Sequence, residues 1–154
     1  MSFTLFVNSL NGTQVQGANS TNEVNYKFDF ESASKHTGKF KMTYSFLSEG
    51  GMTLDATDIL EIRTTLSSSM NNFQAGNISG AQVSQTLGWV SNDRFNTTDC
   101  YYYKYAKESS PIILQCLPKL QDFTVYLTNA FTGVLEPHLG NKDYSLVLYF
   151  EAIE

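Results

Sequence analysis

Asp122-Phe-Thr-Val-Tyr-Leu-Thr128 and Asp143-Tyr-Ser-Leu-Val-Leu-Tyr-Phe-Glu-Ala-Ile153 bracket a connection of fourteen residues. In the first run Phe123, Val125 and Leu127 share one face; in the second Tyr144, Leu146, Leu148 and Phe150 do. A period of two belongs to strands with one buried face, because successive side chains of a strand point to opposite sides. The same period recurs upstream, and no segment with a helical period competes with it.

Strands are expected, in order, over Ser2–Asn8, Glu23–Phe30, Gly38–Phe46, Asp58–Leu66, Gln82–Val90, Thr98–Ala106, Pro111–Cys116 and the two C-terminal runs. Val24, Tyr26, Phe28 and Phe30 alternate with Asn25, Lys27 and Asp29. Phe40, Met42, Tyr44 and Phe46 alternate with Lys41, Thr43 and Ser45. Asn11-Gly12, Ser48–Gly51, Ser67–Gly80, Ser91–Asp99, Thr132-Gly133 and Gly140-Asn141 read as turn-rich spacers, since Gly and Asn tolerate positive φ. Only Thr65–Gln74 has room for a short helix. About eight antiparallel strands in one domain, 1–154, make a sandwich or a barrel. The long connections favour strands that cross between sheets, hence a single jelly-roll or Greek-key β-sandwich. The expected core is Phe28, Phe40, Tyr44, Leu60, Leu87, Trp89, Val125, Leu146 and Leu148.

At 154 residues the chain can bury roughly 68–70% of the surface it exposes when unfolded. Charged residues are 16% of the total, against about 25% in an average soluble protein. Ser, Thr and Asn (16, 15 and 12 residues) fill the gap, and aromatics reach 14%, mostly Phe and Tyr. Such a composition suits adhesive modules and virus shells. The net charge of −5 and scattered basic residues supply no concentrated positive field, so no direct nucleic-acid partner is expected. Lys39 and Lys41 read as the solvated outer face of one strand. The N-terminal Met-Ser-Phe-Thr-Leu-Phe-Val lacks a basic region before a long apolar run, so synthesis in the cytoplasm is expected. No run approaches the roughly 18 apolar residues of a membrane span.

The candidate chemistry is thin. His36 and His138 are the only histidines, both expected in loops, and no Gly-x-Ser-x-Gly elbow accompanies them. Cys100, Cys116, His36 and His138 lack zinc-ligand spacing, and the two cysteines read as small buried hydrophobes. Asp55, Asp58 and Glu61 do not form an EF-hand pattern, and Asp55 reads as a turn cap. Around Gly38-Lys39, Ala33 and Phe40 stand where a phosphate loop needs Gly and a hydroxyl. Four Asn-x-Ser/Thr triplets, at Asn11, Asn19, Asn77 and Asn96, are close to what this composition produces by accident. No catalytic residue, metal site or cofactor is expected, and the protein reads as a non-enzyme. In the run Tyr101, Tyr102, Tyr103, Tyr105 both strand faces carry Tyr, so one face must reach solvent. Half-exposed tyrosines mark subunit contacts. With Phe131 and His138 in the long C-terminal connection, they form the candidate contact set, together with the loops Ser67–Gly80 and Phe131–Asn141. Trp89 beside the tyrosines would also suit sugar stacking.

The opening Phe3-Thr-Leu-Phe-Val-Asn-Ser9, the pair Tyr26–Phe30 and Lys39–Phe46, and the ending Leu120-Gln-Asp-Phe-Thr-Val-Tyr-Leu-Thr128, Thr132-Gly-Val-Leu135 and Tyr144-Ser-Leu-Val-Leu-Tyr-Phe150 carry a resemblance. The chain resembles single jelly-roll capsid proteins of large double-stranded DNA viruses and their virophage or polinton-like relatives. The resemblance rests on strand pattern and length over nearly the whole chain. It implies a structural capsid protein of the virion, the penton at five-fold vertices or a small minor capsid (cement) protein. It also implies a homo-oligomer, a pentamer before a trimer, in contact with neighbouring major capsid capsomers. Major capsid proteins of that lineage carry two jelly rolls, and this length holds one. Trimeric jelly rolls of the tumour-necrosis-factor and C1q type, and carbohydrate-binding modules, share the length and aromatic content and stay open as recognition modules.

Overall fold

The computed structural model describes residues 2–15, 20–55, 57–66, 85–96, 99–119, 121–139 and 141–153, with side chains at 93–96 excepted. Ten strands carry the fold: β1 (Ser2–Asn8), β2 (Thr13–Gln14), β3 (Glu23–Lys27), β4 (Phe40–Ser48), β5 (Ile59–Thr64), β6 (Gln85–Asn96), β7 (Asp99–Lys104), β8 (Ile112–Leu114), β9 (Asp122–Asn129) and β10 (Tyr144–Ala152). The one α-helical turn among the described residues, α1 (Phe30–Ala33), starts where Asp29 accepts a hydrogen bond from the Glu31 backbone N–H. Phe30, expected at the end of a strand, therefore opens a helical turn, and the Asx cap at Asp29 is the reason.

Every pairing between strands is antiparallel. One sheet runs β1-β10-β4, with β7 and β8 sharing the far edge of β4; the other runs β2-β3-β9-β5-β6. The long β6 continues past the second sheet and pairs with β7, so the two sheets form one curled hydrogen-bonded path. With β7 and β8 counted as one interrupted strand, and the two-residue β2 set aside, the orders become β1-β10-β4-β7/β8 and β3-β9-β5-β6. Apart from β5 and β6, which are neighbours in one sheet, successive strands then alternate between sheets as in a jelly roll.

The interruption is filled by side chains. Phe46 and Leu47 pair with β7, and Phe40 to Met42 pair with β8. Between them the Ser109 hydroxyl accepts from the Tyr44 N–H at 3.3 Å, and the Ser45 hydroxyl accepts from the Ala106 N–H at 3.0 Å. Backbone donors left by a broken ladder must find such partners when buried.

Phe40, Tyr44, Leu60, Leu87, Val125, Leu146 and Leu148 lie in the core as expected. Phe28 is half-buried against it. Trp89 is 60% exposed, contrary to its expected place in the core. The cause is a bulge: β5 pairs Ile62 with Gly88 but Arg63 with Thr86, so one extra residue enters β6. A bulge reverses the inward and outward phase beyond it. Leu87 and Val90 are buried, and Trp89 turns out opposite Glu61. Gly88 is required here, because a Cβ would overlap the Tyr44 hydroxyl beneath it. Ser91–Asn96, expected as a spacer, continues β6. The short β2 was not foreseen, and most of the possible helix Thr65–Gln74 lies outside the described residues.

The centre is aromatic. Phe3 stacks on Phe150 at 4.6 Å, Phe30 meets Phe150 edge-on at 5.9 Å, and the Tyr26 and Tyr144 hydroxyls bond at 2.7 Å. Leu148 is 1% exposed on the inner face of β10. Leu148→Ala should cost about 2–5 kcal/mol in urea unfolding, the range for large-to-small core changes. Burial pushes the Tyr26 phenol up to about 12 and raises those of Tyr44 and Tyr144 as well. The neutral phenols are favoured in the folded state. That stability is fully present below the unfolded value near pH ~10 and is lost as pH rises towards about 12. Alkaline titration should therefore show these tyrosines ionising together with unfolding, read as tyrosinate absorbance against circular dichroism. Their ionisation in a protein still folded would contradict the burial.

Candidate interaction surface

The outer face of the β1-β10-β4-β7 sheet is built in cross-strand rows. One row runs Phe6, Val147, Ser45; the next runs Asn8, Ser145, Leu47, Tyr103. Thr4, Tyr149 and Thr43 form a third, and Lys41 pairs with Glu151 at 3.1 Å at the far end. Of these four rows only the one of Lys41 and Glu151 carries charge. The rows of Phe6 and Tyr103 carry none.

Along β7 the odd positions stand outward. The Tyr101 and Tyr103 rings lie 5.6 Å apart with planes tilted by 41°, and Tyr103 and Tyr105 lie 5.3 Å apart with planes at 65°. Edge-to-face contact, as between Tyr103 and Tyr105, is a favoured arrangement of aromatic rings. Together with Leu47 and Val147 they line a shallow groove of about 290 Å³. Phe6 is 65% exposed, Tyr105 57% and Leu47 54%. Sheet faces turned to water are normally polar, so this one forms an apolar patch.

Tyr102 does not belong to the patch. It points between the sheets with no exposure, and its hydroxyl meets no hydrogen-bond partner among the described residues. Burial is the main cause that pushes its ionisation far up, with the charges of Glu136 and Asp58 adding to it. Its expected role as a contact residue is corrected by strand parity: Cys100 and Tyr102 are in, Tyr101 and Tyr103 out. Lys104 shares the inward phase. Its ammonium, whose pKa burial lowers, donates to the Tyr44 hydroxyl at 3.3 Å and to the Trp89 carbonyl.

Phe131 and His138 lie apart from the tyrosines on the β9–β10 connection. Asn129 Oδ1 accepts from the Phe131 and Thr132 N–H groups, and Gly133 supplies a φ of +71°. Phe131 and Val134 are left 70% and 60% exposed on the turn. The buried Glu136 carboxylate accepts from His138 Nδ1 at 2.8 Å and from Asn129 Nδ2 at 3.3 Å. His138 thus ties down its own connection. The loop Ser67–Gly80 lies outside the described residues.

The remaining sequence candidates are local braces. His36 packs edge-on against Phe40 at 5.1 Å and reaches the Ile153 carbonyl at 3.2 Å. Asp58, in place of the expected Asp55, caps the turn by accepting from the Asp55 N–H at 2.7 Å. Cys100 is buried, Cys116 half-buried, and they are not bonded to each other. Among the described residues no three His, Cys, Asp or Glu side chains gather as metal ligands, and no helix is long and apolar enough to cross a membrane.

Sequence reasoning found the tyrosines and missed Phe6, Leu47, Val147 and Tyr149. The signal was present: β1 and β10 carry apolar residues in both phases, and β4 ends its polar phase on Leu47. No protein-family model matches the chain, and a search of curated proteins finds no significant match.

Proposed function

We propose that the protein is a structural subunit of a virus shell, placed as the penton at five-fold vertices, that works by self-association and by contacts with neighbouring capsomers. One observation carries the reading: an uncharged stripe of Phe6, Val147, Leu47, Tyr103 and Tyr105 crosses all four strands of one jelly-roll sheet. Interface centres are depleted in charge and enriched in Tyr and Phe. Tyr gives large contact area for the loss of few rotamers, and the ring contacts along β7 fix those rotamers in advance. A repeated head-to-tail contact of this face with a different face of the next copy closes a ring. Glu136 and His138 brace the exposed Phe131 turn as a second contact, towards capsomers outside the ring.

Leu47→Asp with Tyr103→Asp should leave circular dichroism unchanged, since both side chains stand off the core, and should abolish the rings that the purified wild-type protein forms in sedimentation. Tyr102→Asp should instead abolish folding, because it buries a carboxylate with no partner. A wild-type protein that is monomeric at high concentration removes the shell reading. Trp89, 60% exposed on the other sheet, favours a recognition module in that event. Glycan binding lost in Trp89→Ala would establish it.

A further inference from the structure

Strand β1 ends its sheet. Its inner edge pairs with β10 over all seven residues, from Ser2 with Glu151 to Asn8 with Ser145. Among the described residues no strand pairs with its other edge. Natural sheets guard such an edge with charge, proline or a bulge. Ser2-Phe-Thr-Leu-Phe-Val-Asn8 contains no charged residue and no proline, and its register with β10 is unbroken. Apolar surface collects on the same side of the molecule. Phe3 and Leu5 face the core but stay half-buried, Phe6 is 65% exposed, and Leu10, in the turn joining β1 to the edge strand β2, is 77% exposed.

We propose that β1 pairs antiparallel with β1 of a second copy, about a two-fold axis through Leu5, and joins the two sheets into one. The occupant follows from the strand's own symmetry. In this register Ser2 faces Asn8 of the second copy, Phe3 faces Val7, Thr4 faces Phe6, and Leu5 faces itself. Every position meets one of its own phase: apolar Phe3, Leu5 and Val7 on the core side, Thr4 and Phe6 on the outer side. A shift by one residue would set core-facing positions against outward ones. The two Phe6 rings become diagonal neighbours across the junction, within reach for aromatic side chains. Phe3 and Leu5 gain the cover that one molecule leaves open. This contact is isologous, unlike the head-to-tail contact proposed for the tyrosine face, so the two generate different symmetry.

The register makes the test specific. The variant Thr4→Lys with Phe6→Lys sets like charges directly opposite each other at two places in the junction. Thr4→Lys with Phe6→Glu sets opposite charges there. Both positions are exposed in the single molecule. Sedimentation of the Leu47→Asp/Tyr103→Asp protein, which lacks the tyrosine-face contact, isolates the strand junction. It should show dimers that T4K/F6K converts to monomers and T4K/F6E restores. Amides of residues 2–8 should exchange more slowly as concentration rises. Monomers before any change in β1, mass unaffected by T4K/F6K, or failure of T4K/F6E to restore dimers would each overturn the pairing. None of these results touches the ring contact, which is read on wild-type protein against Leu47→Asp/Tyr103→Asp.

Discussion

The placement of β10 between β1 and β4 is the constraint on which the rest of the structure depends. Seven residues of β10 pair with the N-terminal strand and nine pair with β4, so this last strand forms the middle of its sheet. Tyr144, Leu146, Leu148 and Phe150 fill the core from that position, and each is at most 4% exposed. Their inner neighbours come from residues far away in the chain: Phe3, Phe40 and Phe30 pack against Phe150, and Phe123 packs against Phe30. Core formation therefore waits for the two ends of the chain to meet, a loop-closure cost that local hairpins do not bear.

With β10 fixed, the outer face of its sheet is fixed as well. Strand parity leaves Ser145, Val147 and Tyr149 no other direction, and their cross-strand partners on β1 and β4 follow from register. The patch from Phe6 to Tyr105 is thus a consequence of pairing acting on strands that are apolar in both phases. Its ends differ in character. Lys41 and Glu151 form a half-exposed ion pair of small energetic weight, while the tyrosine end holds rings in tilted and edge-on contact and a groove. The fold thus supplies a two-layer body and one face whose aromatic side chains pack against each other.

The second sheet shows the opposite economy. Glu61 and Arg63 stand in the outward phase of β5 and are nevertheless 6% and 1% exposed. Glu61 Oε1 accepts from the Thr128 hydroxyl at 3.1 Å and lies 3.9 Å from Arg63 Nε. Buried charges need such partners, and removing one leaves the other uncompensated. Here two charges are buried beside each other, whereas the tyrosine face is built from uncharged groups that gain by being covered.

The amino-acid sequence by itself determined the fold class, the order of the main strands and most of the core. The reason is that an alternating pattern admits only one orientation of a half-buried strand: Phe40 to Phe46 and Tyr144 to Phe150 are inside wherever the strands go. It also marked Tyr101 to Tyr105 as a run that one core could not absorb. Only the tertiary structure decided which of those tyrosines were surplus, since parity is assigned by pairing with β4 and β6, and it placed Tyr102 inside. It alone decided that Trp89 is exposed, because the bulge opposite Arg63 changes phase, and Gly88, its one mark in the sequence, does not say which neighbours turn inward. The buried state of Glu61 and Arg63, the interrupted edge at β7 and β8, and the open edge of β1 are likewise properties of neighbours. A strand's sequence records its two faces, but not what lies beside its edges.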